Sequence, residues 1–426
     1  MNPWVDWGEQ IVRAVAQLLL NPLYYIGIAF IILQYRRQIS LERKLFHSRL
    51  HSLIGETWRT LLWGWLAGIM ASVLMLLFGV TLSLQAMLLI WGISLLLMLV
   101  RVRYFCIAYS VGIIGLLHSL VLFVPSAVDW PWAGWIFATA LSVNIPSLLA
   151  LAAILHLTEG LLVRWQGSRM ATPLFMESKR GKLVGAYHLH GFWPVPLFLL
   201  VPSETGISHL PWNPWFVEGG AAGWGMVAFP ALIGFTSSTI SKLPYLKARF
   251  DSTLLLGYSV LVLCAAIGSY YWEPLILAAS LLTLLLHEGM IAYSNSQEET
   301  AHPLYVHDTR GLKILAVLPN SPAAESGIRA GEIIRKVNQR KVITKEGLHL
   351  AMQLNPAFCK LEIINLDGHS KFVSRAMFAG EHHQLGLILC PDDKAVYYVE
   401  QKPASIFAYF RKRDNRLRSN PSSASS

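Results

Sequence analysis

The sequence predicts an α-helical polytopic membrane bundle followed by a small α+β domain, and three observations predict it. Of 426 residues, 54% are hydrophobic and only 14% charged, against roughly 25% charged in average soluble domains. Apolar runs long enough to cross a bilayer recur through the first 295 residues. Beyond them the pattern changes to short alternating runs separated by turn residues. The net charge of +10 does not point to nucleic acid. Outside the C-terminal part most basic residues sit in short loops between helices, which is the signature of membrane topology.

In chain order the expected spans are 14–35, 60–79, 83–100, 104–124, 134–156, 185–203, 219–238, 253–271 and 274–294, about nine transmembrane helices. The opening "MNPWVDWGEQIVRAVAQLLL" lacks a basic start and an A-x-A-like cleavage site, so no short cleavable signal is expected. Asn21-Pro22 breaks the first span, which leaves residues 4–20 an alternative place in the interface. The sixth span, "HLHGFWPVPLFLLVP", is short and holds three prolines, and is expected to be irregular or packed inside the bundle.

Lysine and arginine set the orientation. Arg36, Arg37, Arg43, Lys44 and Arg49 fill the first loop, and Arg101 and Arg103 the third. Arg164, Arg169, Lys179, Arg180 and Lys182 fill the fifth, and Lys242, Lys247 and Arg249 the seventh. The alternate loops carry Asp129, Glu204, Glu218 and Glu273 with no Lys or Arg. Basic loops stay cytoplasmic, so the N-terminus is expected outside and everything after Ser294 inside. Trp130, Trp132, Trp135, Trp212, Trp215, Tyr271 and Trp272 gather on the outer side as an aromatic belt.

A membrane domain over 1–294 thus leads through a polar linker, 295–309, into the soluble part. There "GLKILAVL", "GEIIRKVN", "KLEIINLDG", "KFVSRAMF" and "LGLILC" read as strands, with Asp367-Gly368 as a hairpin turn and one helix over Lys345–Leu354. The tail, 401–426, is basic and then Ser-rich. It is expected to be disordered, with its basic cluster either solvated or touching anionic lipid.

Residues 310–400 resemble a bacterial PDZ domain. The resemblance rests on Ser321-Pro322-Ala323-Ala324, Gly327-Ile328, Gly331-Glu332-Ile333-Ile334 and Val337-Asn338. Pro322 suits a helix's first turn, Gly327 a left-handed helix exit and Gly331 a tight turn before a strand. Such domains bind an extended peptide as an added strand beside a helix, and loop backbone donors hold its terminal carboxylate. By resemblance the carboxylate loop is Arg310-Gly311-Leu312 and the docking strand Leu312–Ala316, including Ile314. The groove face of the helix is Lys345, His349 and Met352, spaced i, i+4, i+7, with Leu348 and Ala351 turned more to the core. Lys345 at the groove mouth implies an acidic residue near the ligand's end.

No catalytic motif accompanies this plan. An intramembrane zinc protease needs HExxH, yet Ile291 stands where the second histidine after His287-Glu288 should be. His156 and Glu159 have no third ligand at motif spacing, and Asp367-Gly368 lies in the soluble part. P-loop, GxSxG and Rossmann patterns are missing too. The cysteines Cys106, Cys264, Cys359 and Cys390 form no CxxC pair, so they read as small buried hydrophobes. Neither a metal nor a cofactor is expected. His156/Glu159 and His287/Glu288 are expected to snorkel to water at cytoplasmic helix ends, with proton or ion handling as the alternative. His118 is expected to be hydrogen-bonded inside the bundle.

The whole plan, together with "WGEQIVRAVAQLLLNPLYYIGIAFIILQYRRQISLERKLFHSRL", resembles the MinJ-like family of cell-division topological determinants. The resemblance implies a non-enzymatic membrane scaffold enriched at septa and poles. Its partners would be the lipid bilayer, a DivIVA-like polar protein and a MinD-like membrane ATPase. The competing reading is a membrane sensor or transporter regulated by its PDZ domain, which requires polar groups near the midplane.

Overall fold

Polar helix caps divide the N-terminal half. A computed structural model of the chain describes residues 3–178, 181–207, 212–217, 223–355, 357–376, 385–392, 397–399 and 417–419. Asn21 separates α1 (Pro3–Leu20) from α2 (Pro22–Phe46), and its side chain accepts the Leu23 N–H. With Pro22 in the first turn the two helices meet at a 55° bend. Ser52 and Ser83 cap α3 (Leu53–Phe78) and α4 (Leu84–Val100) in the same way. Next come α5 (Ile107–Phe123) and the short α6 (Gly134–Ser142), and then Asn144 caps α7 (Ile145–Gln166). The expected span 134–156 is therefore two helices, and the second runs ten residues further, to Gln166.

After the strands described next, α8 (Pro244–Tyr271) and α9 (Leu275–Thr300) complete the bundle. By length and composition four helices can cross a membrane, namely α3, α7, α8 and α9, and the bent α1–α2 pair would make a fifth. The central one is α7, with 83% of its apolar window buried by protein.

The sixth and seventh expected spans are not helices. After β1 (Ala171–Glu177) the chain forms β2 (Leu183–Ile207) and β3 (Trp224–Thr239), an antiparallel pair in register from Tyr187↔Thr239 to Pro202↔Trp224. Non-helical backbone in an apolar setting needs protein partners for its polar groups, and several are present here. Pro194 and Pro196 lie on the β2 edge that faces α3, where a proline has no N–H to leave unpaired. Two residues on, the Phe198 N–H donates to Ser72 Oγ at 2.9 Å. On the outer edge of β3, Met226 N–H donates to Gln10 Oε1 at 3.3 Å and Pro230 again lacks a donor.

Small residues let α3 come this close. A Cβ placed on Gly64 or Gly68 would lie 2.4 Å or 2.3 Å from the carbonyl oxygen of Pro194 or Pro196. Trp193, Val195, Leu197 and Leu199 are then buried in the shared core with α3 and α7.

The C-terminal domain starts at β4 (Leu312–Val317). Ser321 caps the short α10 (Pro322–Glu325), with Pro322 in its first turn. Gly327 (φ 68°), Gly331 (φ 89°) and Gly368 (φ 85°) all adopt the left-handed backbone that their turns require. The other elements are β5 (Ile333–Val337), β6 (Arg340–Lys341), α11 (Lys345–Gln353), β7 (Phe358–Ile364), β8 (Ser370–Ala376) and β9 (Leu387–Leu389). The sheet order is β8-β7-β5-β4-β9, with β6 paired to β5.

This domain is seated on the membrane part. Residues of the expected linker continue α9 to Thr300, and the buried Tyr305 beyond it anchors the crossing. Gly185 N–H donates to the Tyr305 carbonyl at 2.9 Å, and Tyr187 Oη donates to the Leu315 carbonyl. Leu315 and Ile388 thereby join the main core, while Ile314 and Leu389 face the domain's own core.

Two further strands, β10 (Tyr397–Val399) and β11 (Leu417–Ser419), extend the other sheet into the order β11-β10-β1-β2-β3. Residues 397–399 were expected inside the C-terminal domain, yet they pair with β1. Residues 417–419 of the tail form a strand, and the rest of 401–426 lies outside the described residues.

Candidate functional site

Strand addition requires an unpaired sheet edge, so sheet order decides where a peptide can dock. The expected docking strand, Leu312–Ala316, has no free edge. It is β4, which pairs with β5 on one side (Leu312↔Ile334, Lys313↔Ile333) and with β9 on the other (Ile314↔Leu389, Ala316↔Ile388). Leu312 and Ile314 are both core residues.

The expected carboxylate loop is also occupied. Asp308 accepts the Arg310 N–H at 2.8 Å on one carboxylate oxygen and the Arg310 guanidinium at 2.6 and 2.8 Å on the other. Its own carbonyl accepts the Gly311 N–H at 3.4 Å. Partial burial works against ionisation, but the bonds from Arg310 prevail and hold the Asp308 carboxyl below the ordinary carboxylate range. Glycine at 311 serves packing, since a Cβ there would lie 2.1 Å from the Ile334 carbonyl oxygen.

The two outer strands differ in character. Lys371 of β8 reaches the Gly327 carbonyl and Glu332, and Arg375 pairs with Glu325, so charge guards that edge. By contrast β9, "LIL", is wholly apolar, and among the described residues only β4 pairs with it. The Gly386 carbonyl and the Cys390 N–H are bonded to Leu318 and Lys313. By alternation the backbone groups of Leu387 and Leu389 face the open side. Gly386 (φ 76°) makes the turn into this strand, and a Cβ on it would lie 2.2 Å from that of Ser321.

The helix α11 starts beside this edge. Thr344 caps it by accepting the Gly347 N–H at 3.0 Å, which puts Gly347 in the first turn. Lys345 Nζ lies 3.6 Å from Asp392, just past β9, so the acidic partner expected of a ligand is met within the chain. His349 is exposed, but Met352 is buried with Ala351 in the domain core instead of lining a groove. Leu387–Leu389, Gly386 and Asp392 were not singled out from the sequence. Their signal was a glycine followed by an alternating strand, "LGLILC", whose edge position is a property of the sheet.

His156 and His287 do not reach solvent at their helix ends. His156 and His287 are buried at 1% and 6% exposure, on α7 and α9. Their Nε2 atoms lie 3.1 and 3.5 Å from Cys106 Sγ, just before α5. Glu288 instead pairs with Arg103, both its oxygens at 2.9 Å. His118 is buried and donates to the Ala140 carbonyl at 3.0 Å.

Over 394 residues the chain is 30% identical to the cell division topological determinant MinJ of Bacillus subtilis (strain 168), covering 92% of this chain and 97% of the relative. The chain belongs to the MinJ family of cell-division topological determinants. The probable MinJ of Lacticaseibacillus paracasei is 26% identical over 401 residues, which is 90% of this chain and 100% of its own length. No family model and no solved structure matches. In this MinJ-family chain, membrane association follows from the apolar helices, and the apolar strand edge is carried on a domain built against them.

Proposed function

We propose that this MinJ-family protein is a multi-pass scaffold of division-site selection whose PDZ-type C-terminal domain docks partner proteins at the inner membrane face. The observation that carries the reading is β9, an uncharged strand edge beside a capped helix, on a domain tethered to membrane helices. A partner segment adds to the open side of Leu387–Leu389 through backbone bonds, and α11 forms the other wall. Tethering raises the local concentration of this edge for partners already on the membrane. The partners are a DivIVA-like protein at septa and poles and a MinD-like ATPase, which the scaffold brings together so that division is restricted there. The basic loops keep the domain cytoplasmic, and the role requires no catalysis.

A fluorescent fusion in a rod-shaped host tests this, with pull-down of DivIVA-like and MinD-like proteins by the full chain. Septal and polar enrichment with both partners retained is expected. Uniform membrane signal, normal division in a deletion strain and no retained partner would sink the scaffold and favour a PDZ-regulated sensor or transporter.

A further inference from the structure

We propose that Cys106, His156 and His287 form a binding site for a thiophilic transition-metal ion, zinc(II) foremost, that ties α5, α7 and α9 together. The three residues are far apart in sequence and converge only in the fold. Their ligand atoms all lie within 4.8 Å of one another. A tetrahedral zinc with ordinary Zn–S and Zn–N bonds sets a sulfur-to-nitrogen edge of about 3.5 Å. The observed Sγ–Nε2 separations are 3.1 and 3.5 Å, close to that edge.

The surrounding hydrogen bonds point both imidazoles the right way. His156 Nδ1 lies 2.7 Å from the Ala152 carbonyl, which can only accept, so the proton is on Nδ1 and the Nε2 lone pair faces Cys106. His287 Nδ1 lies 3.2 Å from Tyr109 Oη, whose own hydrogen is given to Glu288 at 2.6 Å. His287 Nδ1 therefore donates as well, and its Nε2 also presents a lone pair. Arg103 holds Glu288 in place from the other side. Such outer partners fix tautomer and ring orientation in metal sites.

Two nitrogen lone pairs and one thiol leave a deficit. The thiol has a single hydrogen and can satisfy one imidazole, so the second Nε2 faces sulfur without a donor among the described residues. A cation removes the deficit: the thiol loses its proton to solvent and all three lone pairs coordinate. One thiolate with two imidazoles selects soft or borderline ions over magnesium and calcium. Three protein ligands leave a fourth position, and Cys106 is only partly buried, which gives the ion an entry path.

The test uses the full chain in detergent, purified through a tag without histidines, and titrated with cobalt(II) and then zinc(II). One equivalent of cobalt(II) is expected, with a thiolate-to-cobalt absorption band in the near ultraviolet that zinc(II) displaces. Cys106→Ser removes the band, and His156→Gln or His287→Gln lowers the affinity at least tenfold. Cys264→Ser, at an exposed cysteine, leaves it unchanged. If the ligand variants fail to fold, protection decides: zinc(II) must slow maleimide labelling of Cys106 but not of Cys264 in the wild-type chain. No cobalt band in folded wild-type protein, a band that survives Cys106→Ser, or equal labelling with and without zinc(II) overturns the proposal and leaves a hydrogen-bonded thiol.

Discussion

Alanine at two glycines of α3 separates the hairpin architecture from a bundle of helices alone. At an open position on a helix surface, Gly→Ala stabilises by about 1 kcal/mol, because alanine loses less backbone entropy. Gly92 in α4 and Gly257 in α8 meet that description, with nothing within 4 Å of an added Cβ. At Gly64 and Gly68 the same Cβ would sit 2.4 and 2.3 Å from backbone carbonyl oxygens of β2. Backbone oxygens cannot rotate away as a side chain would, so α3 must move off the strand. Overpacking of this kind costs about 1–3 kcal/mol.

Movement also draws Ser72 Oγ away from the Phe198 N–H, now 2.9 Å apart. Leaving a buried donor unpaired costs about 1–3 kcal/mol more. After subtracting the helix gain, Gly68→Ala is expected to destabilise by a net amount on the order of 1–5 kcal/mol. Gly92→Ala is expected to stabilise slightly, so the two changes differ in sign. The assay is the melting temperature of each detergent-solubilised variant, read as loss of the monodisperse gel-filtration peak. If Gly68→Ala melts at or above Gly92→Ala, α3 does not lie against Pro194–Phe198 and the hairpin placement is wrong.

Leu387→Pro removes an N–H from the open side of β9 and spares the β4 ladder. Partner retention by the full chain is expected to fall at least tenfold, about 1.4 kcal/mol, while Arg310→Ala, at a side chain already tied to Asp308, leaves it unchanged. Lys247, 1% exposed, lies 2.7 Å from Ser294, 3.2 Å from Asp251 and 3.7 Å from Glu298. Lys247→Met strands the buried Asp251 carboxylate, whereas Glu298 keeps Lys242 at 3.8 Å and the hydroxyl bonds of Thr239 and Ser241. The change is expected to cost about 3–5 kcal/mol, and adding Asp251→Asn should restore part of the lost melting temperature.

Burial of His51 favours its neutral form, but hydrogen bonding and charge from Glu42 outweigh it, so its pKa lies above the ordinary value. The stabilisation is therefore complete below about pH 6.5 and is lost as pH rises through the raised value. The melting difference between wild type and His51→Gln should shrink steadily as pH rises above about 6.5.

Local chemistry was legible in the residues themselves. The Asn21-Pro22 break falls between α1 and α2, and Gly327, Gly331 and Gly368 turn the chain where left-handed backbone is needed. These features depend on a few neighbouring residues, so sequence order suffices to find them. The class of the chain was equally plain, since apolar helices declare themselves by composition.

The hairpin was not legible from hydropathy, because an apolar run buried on both faces has the same composition as a membrane helix. Its one local trace is the Pro194-x-Pro196 spacing, which puts both prolines on one strand edge and would break a helix twice. Which strand is the sheet's open edge, and which cysteine meets which histidines, are settled by partners far off in sequence. By itself the sequence determined a membrane protein of this family with a turn-rich C-terminal domain. Only tertiary structure paired Leu312–Ala316 on both sides, left Leu387–Leu389 at the edge of the sheet and brought Cys106, His156 and His287 together. Strand pairing and side-chain convergence are non-local, and no short window of residues encodes them.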